Sequence, residues 1–88
     1  MTAALTQLTR IFGRELATTD AARAAISAAP AVLADALFAE AADSDDVTSV
    51  ESALDYLEGR LAFLGPLVEP PAAGEIRDAF RQRLRAWE

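Results

Sequence analysis

Three arginines recur at four-residue intervals near the carboxyl end of the chain, at Arg77, Arg81 and Arg85. In a helix this spacing places the three guanidinium groups on one face, with Arg83 displaced to the side. A guanidinium group recognises carboxylates and phosphates through paired hydrogen bonds. The stripe therefore predicts either a basic interaction surface or a solvated face that pairs with acids elsewhere in the fold. The acids considered for such pairing are Asp35, Glu40, Asp55 and Glu58, with Asp78 and Glu88 as local partners of Arg81 and Arg85.

A cluster of carboxylates lies in the middle of the chain, in the run Asp43-Ser44-Asp45-Asp46. A calcium-binding EF-hand loop beginning at Asp43 would need an oxygen ligand at Val47, glycine at Thr48 and glutamate at Leu54. None of these requirements is met, so no metal site is predicted. A solvated acidic loop, whose charge favours the amino end of the following helix, is the simpler interpretation. As an interaction surface, the predicted acidic face comprises Asp43, Asp45, Asp46 and Glu51.

Ser44 supports an alternative hypothesis. The pair Asp43-Ser44 stands mid-chain, just before a predicted helix, in a small acidic helical protein. These features resemble acyl carrier proteins, in which a serine after aspartate carries a phosphopantetheine arm, and the resemblance implies a carrier site at Ser44. The chain departs from that family at Asp45, where the family has a large apolar residue, and over 20–42, where helical sequence replaces a long loop.

Composition argues against several function classes. The 88 residues carry 14 acidic and 8 basic side chains, a formal net charge of −6, and include neither cysteine nor histidine. Non-specific nucleic-acid binding needs a basic footprint, which this balance opposes. The commonest general base and all thiol chemistry are missing, so we predict neither an enzyme nor a cofactor. No apolar run approaches a membrane span of about 20 residues and no signal peptide is recognisable, so we expect a cytoplasmic protein.

Helical periodicity predicts the elements that would position these groups. Five helices are expected, over about 2–17, 21–29, 30–42, 48–64 and 72–87. Thr48 and Glu51 form a predicted capping box at the start of the fourth helix. Gly13 would weaken the first helix, and Pro30 either begins a separate third helix or kinks a fused one. The predicted fold is a single all-α domain over 1–88, a compact antiparallel bundle of about five helices (four to six).

A segregated charge pattern suggests a role in assembly. The segment 35–58 contains acids and no base, whereas the last helix is net basic. Two opposed charged faces would suit a non-enzymatic protein–protein interaction module, of adaptor, regulatory or assembly type, for which death-fold domains are an architectural analogy. The partner would be a protein or a second copy, and a small acidic inhibitor of a nucleic-acid enzyme is a further alternative. Trp87 is expected to seal the core, with an exposed interface anchor as the alternative.

Overall fold

The computed structural model describes residues 2–87, and within that range the chain forms α-helices and no strand. The helices are α1 (Thr2–Phe12), α2 (Thr19–Ala28), α3 (Pro30–Asp43), α4 (Val50–Leu64) and α5 (Pro70–Trp87), with a 3₁₀ turn over Gly65–Leu67. For the described residues, the predicted all-α fold of five helices is confirmed.

Helix α3 lies at the centre of the fold. It contacts all four other helices and packs most extensively against α5. Burial of apolar side chains drives this packing, and Phe38 of α3 meets Phe80 of α5 edge-on, with ring centroids 5.6 Å apart. Edge-to-face contacts of this kind are a preferred geometry of aromatic pairs. The buried side chains of α3 and α5 are Leu33, Ala34, Leu37, Ala41, Ala72, Ile76, Phe80 and Leu84.

The first helix is shorter than the sequence predicts. It ends at Phe12, whereas apolar spacing predicted a helix to residue 17. Gly13 adopts φ +70°, a left-handed conformation that glycine tolerates and that terminates the helix. The chain then folds back, and the amide of Leu16 donates to the Thr9 hydroxyl at 3.0 Å. Leu16 is still buried, so its apolar character was read correctly although its position in a helix was not.

Helices α2 and α3 are separate, which decides between the two interpretations of Pro30. They meet at an angle of 93°. The Thr18 side chain caps α2 by accepting from the amide of Ala21 at 3.1 Å. Pro30 occupies the first turn of α3, where its missing N–H removes no helical hydrogen bond. Ala29 lies at the cap position before α3 and makes no side-chain cap hydrogen bond.

The capping box of α4 is formed by Ser49 and Ser52 rather than by Thr48 and Glu51. The Ser49 hydroxyl accepts from the amide of Ser52 at 3.1 Å, and the Ser52 hydroxyl accepts from the amide of Ser49 at 2.9 Å. The same Ser52 oxygen also accepts from the amide of Thr48 at 3.0 Å. The cap lies one residue later than predicted, so Ser52 rather than Glu51 occupies the third position of the helix. From there the Ser52 hydroxyl reaches the amides of Thr48 and Ser49. At the other end, Gly65 has a positive φ, and Pro70 opens α5 two residues before the predicted start.

Candidate interaction surface

The arginine stripe of α5 faces α4, and its first member is fully paired. Arg77 donates from Nε and Nη2 to the two carboxylate oxygens of Glu58, at 2.8 and 2.9 Å. The hydrogen bonds from Arg77 hold the pKa of Glu58 below its ordinary value, and the same bonds raise the pKa of Arg77. Glu58 was among the acids expected to pair with this stripe, so one third of the stripe is a structural contact between α4 and α5.

The other two arginines of the stripe lie over an apolar groove. Arg81 and Arg85 line it together with Val50, Leu54 and the buried Leu84, and its volume is about 210 Å³. The Arg77–Glu58 contact and the lining of this groove show that the carboxyl half of α5 lies beside the amino half of α4, so the two helices run antiparallel. Where α4 presents a carboxylate to Arg77, it presents partly buried aliphatic side chains to the next two arginines.

Among the described residues, Arg81 has one long ion pair and Arg85 has none. The nearest acid to Arg81 is Asp78, one turn earlier, at 3.9 Å, and both side chains are largely exposed. Exposed pairs at such a distance contribute little. Within residues 2–87, no acid lies within 4 Å of Arg85. Its predicted partner Glu88 lies outside the described residues. Within residues 2–87, the charges of Arg81 and Arg85 are therefore only weakly compensated.

Arg83 lies outside the stripe formed by Arg77, Arg81 and Arg85, as its spacing predicted. Its Nε donates to the carboxylate of Asp35 on α3 at 2.9 Å, and that hydrogen bond raises the pKa of Arg83. The contact ties α5 to the central helix on the side away from the groove. Asp35 was also among the acids expected to pair across the bundle.

The predicted acidic residues are all exposed, and none forms an ion pair within the described range. Asp43 ends α3, Asp45 and Asp46 follow in the loop, and Glu51 lies in the first turn of α4. That turn also supplies Val50 to the arginine-lined groove. Glu51 therefore lies beside one of the groove-lining residues, at the end of the molecule where α4 begins and α5 ends. The predicted role of two opposed charged faces stays a prediction.

Trp87 lies beside this junction and is packed on one side only. Its ring meets Phe38 edge-on with centroids 6.2 Å apart, and it lines a small cleft with Val47, the residue after the acidic run. It nevertheless keeps 45 % of its surface exposed. The residue thus combines the expected sealing contact with the exposure that the alternative interpretation required.

Ser44 is engaged in ending α3. Its amide donates to the carbonyl of Ala41 at 3.1 Å, and its hydroxyl accepts from the amide of Asp46 at 3.3 Å. Helix α4 begins six residues later and is capped by Ser49. Ser44 therefore stands at the carboxyl end of one helix rather than directly before the amino end of the next.

A second polar cluster, which the sequence did not reveal, joins α1, α3 and α4. The carboxylate of Glu40 accepts from the Tyr56 hydroxyl at 2.9 Å and from the Gln7 amide at 3.1 Å. Arg60 donates to Gln7 and lies 3.7 Å from Glu40. Burial, followed by the hydrogen bond to Glu40, raises the pKa of Tyr56. The signal available in sequence was the four-residue spacing of Tyr56 and Arg60, but Gln7 and Glu40 join them only through tertiary packing.

The edge of this cluster reaches the surface at Phe63. The guanidinium carbon of Arg60 lies 5.0 Å from the Phe63 ring centroid, a cation–π contact, and Phe63 is 52 % exposed. The Nε of Arg60 is buried without a hydrogen-bond partner. The cluster is accordingly built from contacts within the chain and holds the position of α1.

Two further properties bear on ligands and membranes. Among the described residues, no three Asp, Glu, His or Cys side chains gather closely enough to hold a metal ion. Over the same range, no single helix has both the length and the hydropathy of a membrane span, and only α2 and α3 taken together across their bend pass that test.

Comparison of the chain with protein-family models, with curated proteins and with solved structures finds no match in any of the three.

Proposed function

We propose that this chain is a non-enzymatic protein–protein interaction module whose contact surface is the α4–α5 groove and its neighbourhood. The observation that carries the proposal is the pair of exposed arginines over apolar side chains: within the described residues, Arg81 has one long ion pair, with Asp78 at 3.9 Å, and Arg85 has none. The guanidinium group of an arginine beside an apolar surface can bind a carboxylate while its methylene groups pack against a buried side chain. The half-exposed Trp87 near the end of this surface has the residue type and exposure typical of an interface anchor.

The chemistry of the surface suggests the kind of partner. Two guanidinium groups one helical turn apart match carboxylates with the same spacing on a facing helix. Val50 and Leu54, both partly buried, leave room for an aliphatic side chain between those carboxylates. We therefore propose a partner surface that carries acids flanking an apolar residue.

Capture experiments with matched variants would test this proposal. The Arg81→Ala/Arg85→Ala double variant removes the two groove arginines, while Arg10→Ala/Arg14→Ala removes two exposed arginines that make no ion pair within the described residues. Both variants lose the same charge. We expect the first to weaken binding of a captured partner by roughly 30-fold, the effect of losing a central arginine contact, and the second to leave binding near the wild-type level.

Equal losses in the two double variants would contradict the proposal, because they would show that binding responds to net charge rather than to the groove. Circular dichroism of each variant provides the folding control. All four arginines are exposed, so both variants should keep the wild-type helicity.

A further inference from the structure

The α4–α5 surface carries charge of both signs in two parallel rows. Glu51 and Asp55 follow the groove residues Val50 and Leu54 by one position on α4, and Arg81 and Arg85 line the other side of the groove on α5. Because the two helices run antiparallel, their register is expected to place Glu51 level with Arg85 and Asp55 level with Arg81. Within the described residues, neither acid forms an ion pair. An apolar strip formed by Val50 and Leu54 lies between the rows. The acidic row and the basic row are thus opposite in charge, and no ion pair joins them within the described residues of one chain.

From this arrangement we infer that the partner of the groove is a second copy of the chain, bound through a two-fold axis that runs parallel to α4 and α5. This inference rests on the proposed interaction function and specifies its partner. A two-fold axis makes every contact twice, so that residue i meets residue j and residue j meets residue i. Two acids and two bases satisfy that condition here: within the described residues, Glu51, Asp55 and Arg85 form no ion pair, and Arg81 forms only the exposed 3.9 Å pair with Asp78.

The charge rows also select the orientation of the axis. Rotation about an axis parallel to the helices places α4 of one copy over α5 of the other, so Glu51 faces Arg85 and Asp55 faces Arg81. Rotation about an axis across the helices would place α4 over α4 and bring the acids together, which is repulsive. The first orientation also brings the two apolar strips together at the axis.

The size of the molecule permits such a contact, and its net charge limits the affinity. A standard interface takes about 800 Å² from each partner, roughly a sixth of the 5106 Å² exposed by this chain. Two copies of net charge −6 repel each other at long range. A reversible dimer that forms at high protein concentration is therefore expected rather than a permanent one.

Charge reversal provides a specific test. In the Arg85→Glu variant the contact becomes acid against acid in both halves of the dimer, and in the Glu51→Arg variant it becomes base against base. Each variant alone should raise the dissociation constant of the dimer by about 100-fold, since like charges in contact cost several kcal/mol. An equimolar mixture of the two variants should form a mixed dimer, because both of its contacts are again between opposite charges.

Sedimentation velocity across a range of protein concentrations would measure these equilibria. Arg10→Glu and Glu15→Arg serve as controls, because they make the same charge changes at exposed residues outside the groove. They should dimerise like wild type, apart from the general effect of net charge. Persistence of the dimer in both groove variants, or failure of their mixture to associate, would overturn the inferred two-fold contact.

The outcome for the wild-type chain separates this inference from the proposed function. A wild-type chain that stays monomeric at millimolar concentration overturns the dimer. If Arg81→Ala/Arg85→Ala still abolishes capture of another protein in that case, the interaction function stands with a different partner. If that double variant also has no effect on capture, both proposals fail.

Discussion

Along one flank of α4, Tyr56 and Arg60 hydrogen-bond to side chains of α3 and α1, whereas along the other flank Glu51 and Asp55 have no ion-pair partner within the described residues. The same helix therefore carries polar groups in two different settings. On the α1 side, partial burial makes a hydrogen-bonded cluster necessary, since an unpaired buried polar group is costly. On the α5 side, Glu51 and Asp55 are exposed to water, and Glu58 pairs with Arg77.

Under the proposed function, this difference separates residues that stabilise the fold from residues that bind a partner. Substitutions in the Glu40 cluster should change stability, and substitutions along the α4–α5 groove should change association and leave stability nearly unchanged.

The largest expected effect on stability is that of Glu40→Ala. It removes the acceptor of both the Tyr56 and the Gln7 hydrogen bonds and the carboxylate nearest to Arg60. Because the cluster is partly buried, we expect the free energy of unfolding to fall by about 2 kcal/mol. Urea denaturation would measure the change. Asp55→Ala, on the exposed flank of the same helix, should stay within about 0.5 kcal/mol of wild type, and similar losses for the two variants would refute the proposed division.

The ionisation of Tyr56 gives a more local view of the same cluster. Burial and the hydrogen bond to Glu40 raise the pKa of this phenol, which should therefore ionise above the ordinary value of about 10. The chain contains one tyrosine, so its ultraviolet absorbance titration reports this group alone. In Glu40→Gln the negative charge beside the phenol is lost, and we expect the midpoint to move down toward the ordinary value.

An unchanged Tyr56 midpoint in Glu40→Gln would show that Glu40 does not act on the phenol. The free energy of unfolding should depend on pH through the same ionisation of Tyr56. Since the folded state has the raised pKa, the unfolded state releases the proton first as the pH rises. The contribution of Tyr56 is then complete below about pH 10 and lost as the pH rises through the folded pKa.

Much of the fold could be predicted from sequence because it follows from local periodicity. The four-residue spacing of Ile76, Phe80 and Leu84 is typical of the buried face of a helix, and all three side chains are buried. Pro30 begins a helix, which is one of its two predicted interpretations. The errors occur at helix ends, where short-range hydrogen bonds decide the outcome. Gly13 ends α1 instead of weakening it, and Ser52 takes the capping role assigned to Glu51.

The candidate surface was only partly predictable. The four-residue spacing placed Arg77, Arg81 and Arg85 on one face, but it could not show that α4 supplies an acid opposite the first and aliphatic residues opposite the other two. That difference depends on the antiparallel register of α4 and α5. The cluster around Glu40 was missed for the same reason, because its members lie far apart in sequence and are brought together by packing.

The smallest expected effect on stability is at the Arg77–Glu58 pair, which joins α4 and α5 beside the groove. Both side chains are more than a third exposed, so Glu58→Gln should cost less than about 1 kcal/mol at neutral pH. Because the hydrogen bonds from Arg77 lower the folded pKa of Glu58, the contribution of the pair is present above the unfolded pKa of about 4.3. It is lost as the pH falls through the lowered folded pKa. Urea denaturation of wild type and Glu58→Gln from neutral to acidic pH should therefore give two stability curves that converge at low pH. A constant gap between the curves would show that Glu58 stabilises the fold by packing rather than by its charge.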